Sequence, residues 1–140
     1  MLTEQTTVIS VGVVRNTAGQ VLVIRRQLPE LGKGEASLCW AFPGGKVRKE
    51  EKAEQAVERE VLEETGYAVQ TLRQLNLRLH PEFTRIIRYF LCALVQEKPQ
   101  QEPQEPDEIA EIRWVSPTEL KQLFTSNLDG RVARELGLSL

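Results

Sequence analysis

A chain of 140 residues, 41% hydrophobic and 27% charged, has the size and composition of one globular domain spanning 1–140, large enough to fold without disulfides or a structural metal. Its formal net charge of −2 offers no basic surplus for a nucleic-acid partner, although local cations can still attract a small phosphorylated one. The start Met1-Leu2-Thr3-Glu4-Gln5 has no basic segment followed by an apolar run, and no apolar stretch approaches about 20 residues, so no signal peptide and no membrane association are expected, and a cytoplasmic location is.

In chain order, Val8 to Val14 is apolar and β-branched and reads as a buried strand. Asn16-Thr17-Ala18-Gly19 is a turn signal before a second apolar run, Val21 to Ile24, and the two runs predict a hairpin. Residues 27–37, with Pro29, Gly32 and Gly34, read as a loop. Leu38 to Phe42 is a short apolar run that Pro43-Gly44-Gly45 breaks. Residues 51–65 lack Gly and Pro, are rich in Glu, Ala, Val and Leu, and predict a helix capped by Gly66. Val69 to Leu79 and Ile86 to Val95 read as strands. Glu97 to Pro106 reads as a solvated loop, Ile112 to Val115 as a short strand, Ser116-Pro117 as a helix start, and Arg131 to Leu138 as a last helix. Strands and helices mix without regular βαβ alternation. The expected class is therefore α/β in the broad sense (α+β), a mixed β-sheet sandwiched between α-helices.

Cys39 and Cys92 lie far apart in apolar surroundings and read as reduced core cysteines. With the single His80 they fall short of a zinc site, and His80 itself is expected at the surface or at a site rim.

The chemistry concentrates in Gly45 to Tyr67. On a helix, Glu60, Glu63 and Glu64 fall within about 100° of one another. Ala53, Ala56 and Val57 project the same way, so the carboxylates continue the stripe that packs on the sheet. A charge run on a helix is ordinarily a solvated face. Here three like charges repel at helical spacing, and they sit near the C-terminal end, where the macrodipole disfavours them. A sequence that tolerates both on an inward stripe calls for cations. Magnesium suits, because it takes hard oxygen ligands, a few carboxylates together with substrate phosphate. Pro43-Gly44-Gly45, just before the helix, lets backbone approach a ligand closely.

This stretch resembles the Nudix box. Gly45, Glu51, Arg59, Glu60, Val61, Glu63, Glu64, Gly66 and Tyr67 match its positions in turn, with Tyr67 more polar than the usual aliphatic residue. Weaker similarity, most like the MutT group, extends through Val11 to Asn16, Arg25-Arg26, Phe42 to Lys46 and Arg113-Trp114-Val115. The resemblance implies the Nudix fold and a Mg²⁺-dependent hydrolase, with Mn²⁺ as an alternative ion. The implied reaction is cleavage of a phosphoanhydride in a nucleoside diphosphate linked to another moiety.

By the same resemblance, Glu60, Glu63 and Glu64 are metal ligands or, in one case, the general base. In MutT-like enzymes the candidate base is the glutamate that follows the box arginine, here Glu60, oriented by Arg59. Glu51 is expected to pair with Arg59 in a structural role beside Gly45 and Gly66. Gly44 offers a carbonyl to the metal, and Glu108, six residues before Trp114, stands where a further acidic ligand is found. Arg25, Arg26 and Lys46 are candidates for substrate phosphate. Asn127 lies near the position of a base-reading Asn.

The leading substrate expectation is a (d)NTP, 8-oxo-dGTP among them, bound by a monomer or homodimer. ADP-ribose or another nucleotide sugar is the alternative within the class. Pro81 misses the proline spacing of ADP-ribose enzymes, and Arg85 stands where dinucleoside polyphosphate enzymes keep a Tyr. A non-catalytic nucleotide-binding regulatory module is the alternative outside the class, but such modules lose box glutamates and this chain keeps all four.

Overall fold

The computed structural model describes residues 6–27, 38–80, 84–104, 108–124 and 128–138. The loop expected over 27–37 falls, from 28 on, outside them, as do Pro81, Asn127 and the side chains of Cys39 and His80.

β1 (Thr7–Arg15) and β2 (Val21–Gln27) form the predicted hairpin, pairing antiparallel at Arg15 and Val21. Asn16 closes the turn by accepting the backbone N–H groups of Ala18 and Gln20 on its side-chain oxygen at 3.0 and 2.9 Å. The two strands then part. Along its whole length β1 pairs in parallel with β6 (Arg85–Leu94), and β2 pairs over Val21–Arg26 with β7 (Ile109–Val115). Each strand therefore has one edge left. Past the hairpin, β2 gives that edge to β3 (Leu38–Ala41), and β1 gives its own to β4 (Gly44–Lys46).

The sheet thus forks, and the chain crosses the fork at Phe42-Pro43, where the Gly12 amide donates to the Pro43 carbonyl at 2.8 Å. The expectation that Pro43-Gly44-Gly45 simply ends a strand is corrected here: the glycines are themselves a strand, because β1 presents an unpaired edge to them. β5 (Val69–His80) closes the far side against β6.

Alternation along the strands sends side chains to two faces. Val13, Val21, Val23 and Leu91 pack with Leu120 of α2 (Pro117–Leu123) and its C-cap Phe124, and with Val132 of α3 (Gly130–Glu135) and its C-cap Leu136. Val14, Leu22, Phe90 and Cys92 pack with Ala53, Val57 and Val61 of α1 (Ala53–Thr65). The mixed sheet lies between helices, as expected. Burial pushes the Cys92 thiol up to about 12, which suits an inert core residue.

Ser116 and Glu119 form a reciprocal cap on α2. Asp129 caps α3 and also accepts the Asn76 amide at 2.9 Å, fastening the helix to β5. Among the described residues no helix is long and apolar enough to cross a membrane.

α1 ends at Gly66, whose φ of 82° is the left-handed conformation of a helix cap. The segment after β6, expected to be merely solvated, also serves this helix end. The amides of Gln104 and Gln100 donate to the carbonyls of Glu63 and Gly66 at 2.7 and 2.6 Å. A side chain at position 66 would run into the Gln101 carbonyl.

Candidate active site

Two contacts seat α1 on the sheet. At Gly12 the helix lies so close that a Cβ would touch Val57 and Val61. Near the helix start the buried Ser10 hydroxyl donates to the Ala53 carbonyl at 2.9 Å. Sequence reading missed Ser10, since a lone hydroxyl in an apolar strand carries no spacing signal. Together these contacts turn Glu60 and Glu64 towards β4.

Arg59 organises the acidic face. Its Nε and Nη2 donate to the two oxygens of Glu51 at 2.8 and 3.0 Å, the planar fork-to-fork pairing that a guanidinium allows. Nη2 also reaches the Lys46 carbonyl at 3.1 Å, and Nη1 donates to Glu60 at 3.1 Å and Glu63 at 3.3 Å. One side chain thus joins the loop before the helix to two box glutamates. The hydrogen bond from Arg59 holds the Glu51 carboxyl down at about 2, with the Arg48 amide helping against partial burial.

Glu64 is different in kind, because only 5% of its side chain is exposed. Burial pushes its pKa upward, while the Arg26 charge and the Gly44 amide pull against that rise. Oε1 accepts from the Gly44 amide at 2.9 Å. Oε2 accepts from Arg26 Nη2 at 2.9 Å, and the same nitrogen donates to the Gly44 carbonyl at 3.0 Å. Beside it, Gly45 lies so close to the Glu60 carboxylate that a Cβ would collide with it.

These groups open onto a cleft of about 510 Å³ at the fork of the sheet. Arg26, Gly44, Gly45, Lys46, Glu60 and Glu64 line it, and Glu108 joins them from the start of β7. Glu63 lies to the side, with Arg59 and, at 4.0 Å, Arg48. Arg25 is not among the lining residues. It projects to the opposite sheet face, over the Trp40 ring at 5.7 Å, and pairs with Glu111 at 3.4 Å. Neighbouring residues on a strand point opposite ways, so the Arg25-Arg26 pair divides between the faces. Arg85 lines the cleft and was not singled out as a site residue. The parallel pairing of Thr7 with Arg85 brings it there from a distant part of the chain.

The donors a metal would meet here are all oxygens, which suits a hard divalent cation. Among the described residues no three acidic, His or Cys side chains form a ready ligand cage. The guanidinium groups of Arg26 and Arg59 instead bind the carboxylates. A cationic nitrogen bridging the Gly44 carbonyl and Glu64 is itself evidence that the arrangement accommodates positive charge.

A model of the NUDIX domain matches residues 6–136. A Bacillus subtilis (strain 168) protein provisionally named 8-oxo-dGTP diphosphatase is 30% identical over 115 residues, 82% of this chain and 70% of that one. The 8-oxo-dGTP diphosphatase of Haemophilus influenzae is 34% identical over 87 residues, covering 59% of this chain and 57% of its own length. Among solved structures, a NUDIX hydrolase from Nitrosomonas europaea superposes with a TM-score of 0.72 at 18% identity, over 94% of this chain and 85% of that one. At that identity the likeness speaks for the fold.

Proposed function

The chain belongs to the NUDIX family and is a hydrolase, and from that premise we propose that it is a Mg²⁺-dependent pyrophosphohydrolase of nucleoside triphosphates, with 8-oxo-dGTP as the leading substrate. The observation that carries the reading is the meeting of Glu60, Glu64, Glu108, the Gly44 carbonyl, Arg26 and Lys46 in one cleft, backed by the Arg59–Glu51 clamp. The names of the Bacillus and Haemophilus relatives support the choice of substrate.

NUDIX hydrolases generally use divalent metal ions. Here Glu64, Glu108 and the Gly44 carbonyl in the cleft, with Glu63 beside it, would hold them, leaving Glu60 as the base. A bound ion would neutralise the phosphate chain and make water a better nucleophile. The protein's own groups do the rest. Lys46 and Arg26 engage phosphate oxygens from the cleft wall. Glu60, held by Arg59 at 3.1 Å, takes the proton of the attacking water. Glu51 keeps Arg59 in place from behind.

Product analysis tests the reading. With Mg²⁺, a panel of nucleoside triphosphates should yield nucleoside monophosphate and pyrophosphate, with the highest kcat/KM for 8-oxo-dGTP, and none with excess EDTA. Release of orthophosphate alone, undiminished turnover in EDTA, or higher efficiency on nucleotide sugars would overturn it.

A further inference from the structure

Arg26 stands in an unusual position for a residue that is to bind substrate. It sits on β2 where the pairing register with β7 shifts, the extra residue being Ala110 of β7. Its Nη2 is shared between the Gly44 carbonyl and Oε2 of Glu64, at 3.0 and 2.9 Å. Both oxygens belong to the set assigned above to a divalent cation. A guanidinium nitrogen and a metal ion cannot both occupy the point where those oxygens converge. Arg26 also cannot simply leave, because Glu64 would then be an unpaired charge with a side chain 5% exposed. Arg26 itself is 31% exposed and lines the cleft, so it has solvent on one side into which it can turn.

We propose that Arg26 is an exchangeable counter-ion: it neutralises Glu64 in the metal-free protein, yields Glu64 and the Gly44 carbonyl to an incoming divalent ion, and is thereby freed for the substrate phosphate in the same cleft. This inference rests on the hydrolase reading above and adds a coupling to it. With its guanidinium bound to Glu64, Arg26 is withheld from phosphate. With phosphate bound to Arg26, the oxygens around Glu64 are open to the ion. Metal and nucleotide then raise each other's affinity by the same factor, as linkage requires. A guanidinium suits both partners, since carboxylate and phosphate present the same paired oxygens to its fork.

The test uses the full chain and Mn²⁺, titrated calorimetrically with and without a non-hydrolysable nucleoside triphosphate analogue. In the unaltered protein the analogue should tighten Mn²⁺ binding. In Arg26→Met three changes are expected together: a lower melting temperature without metal, Mn²⁺ binding tighter by about tenfold, and analogue binding weaker by about tenfold, a scale ordinary for coupled sites. The mutual tightening should disappear. Arg26→Lys keeps the charge without the fork and guards against a misfolded Met variant. It should bind Mn²⁺ nearly as the parent does while losing part of the analogue affinity. A purely structural ion pair predicts weaker or unchanged Mn²⁺ binding in Arg26→Met, and that result in a folded variant overturns the inference alone. An unaltered protein that binds no divalent ion overturns the hydrolase reading and this inference with it.

Discussion

Replacing Glu51 by Gln keeps the side-chain shape and removes the charge that Arg59 clamps. The carboxylate accepts three hydrogen bonds, two from Arg59 at 2.8 and 3.0 Å and one from the Arg48 amide at 2.9 Å. The Arg59 bond is the main reason its pKa falls from 4.5 to about 2. A fall of that size corresponds to about 3 kcal/mol, at roughly 1.4 kcal/mol per unit. The pair is not dry: the Arg59 and Glu51 side chains are 17% and 15% exposed. Solvent screening reduces the figure to about 2 kcal/mol. The carboxyl is more acidic folded than unfolded, so this stability is fully present above about pH 4.5 and is lost as pH falls towards about 2. Urea denaturation of Glu51→Gln near neutral pH should show a deficit of about 2 kcal/mol, or roughly 4–8 °C in Tm for a chain of this size. The deficit should shrink steadily below about pH 4.5. A deficit of equal size at neutral pH and at about pH 2.5, or none at neutral pH, would refute the clamp as a charge-based structural element.

Glu64→Gln should fold but lose turnover by roughly 100-fold or more, the scale of removing a positioned charged group, as steady-state kinetics and a thermal melt would show. Glu58→Gln on the same helix should change kcat little, because Glu58 accepts the Thr71 amide at 2.9 Å outside the cleft and an amide oxygen can accept that bond too. Gly45→Ala places a methyl group against the Glu60 carboxylate. It should depress kcat while moving stability by under about 1 kcal/mol, and equal losses in both would point to a failure of β4 instead.

Much of this architecture was legible because it rests on local signals. The helix from Ala53 was written in a run free of Gly and Pro, its end in Gly66, and the hairpin in Asn16 to Gly19. The resemblance to the box also implied that Arg59 would meet Glu51, and the two are in contact. What stayed hidden depends on pairing between distant segments. β4 consists of two glycines and a lysine, which have no strand preference, and it exists because β1 pairs with β2 only at Arg15 and has a free edge before it. Arg85 reaches the cleft through a parallel pairing that no short-range pattern encodes. The choice between Arg25 and Arg26 needed the identity of the face turned to α1, which alternation alone leaves open by one residue. The role of Gln100 and Gln104 was hidden for another reason: they act through backbone amides, which every residue but proline carries.

The sheet also separates two kinds of heritable change. On one side lie Val57, Val61 and the residues they pack on, and on the other the cluster built with Leu120, Phe124 and Val132. A substitution on α2 or α3 falls in that second cluster, across the sheet from the seat of α1 on Gly12 and Ser10, with Phe124 on Phe42 as the contact that reaches towards Pro43-Gly44-Gly45. The acidic helix face can therefore stay constant while the opposite side of the molecule drifts. A lineage, or an engineer, can vary that side over many substitutions without re-establishing the carboxylate geometry each time.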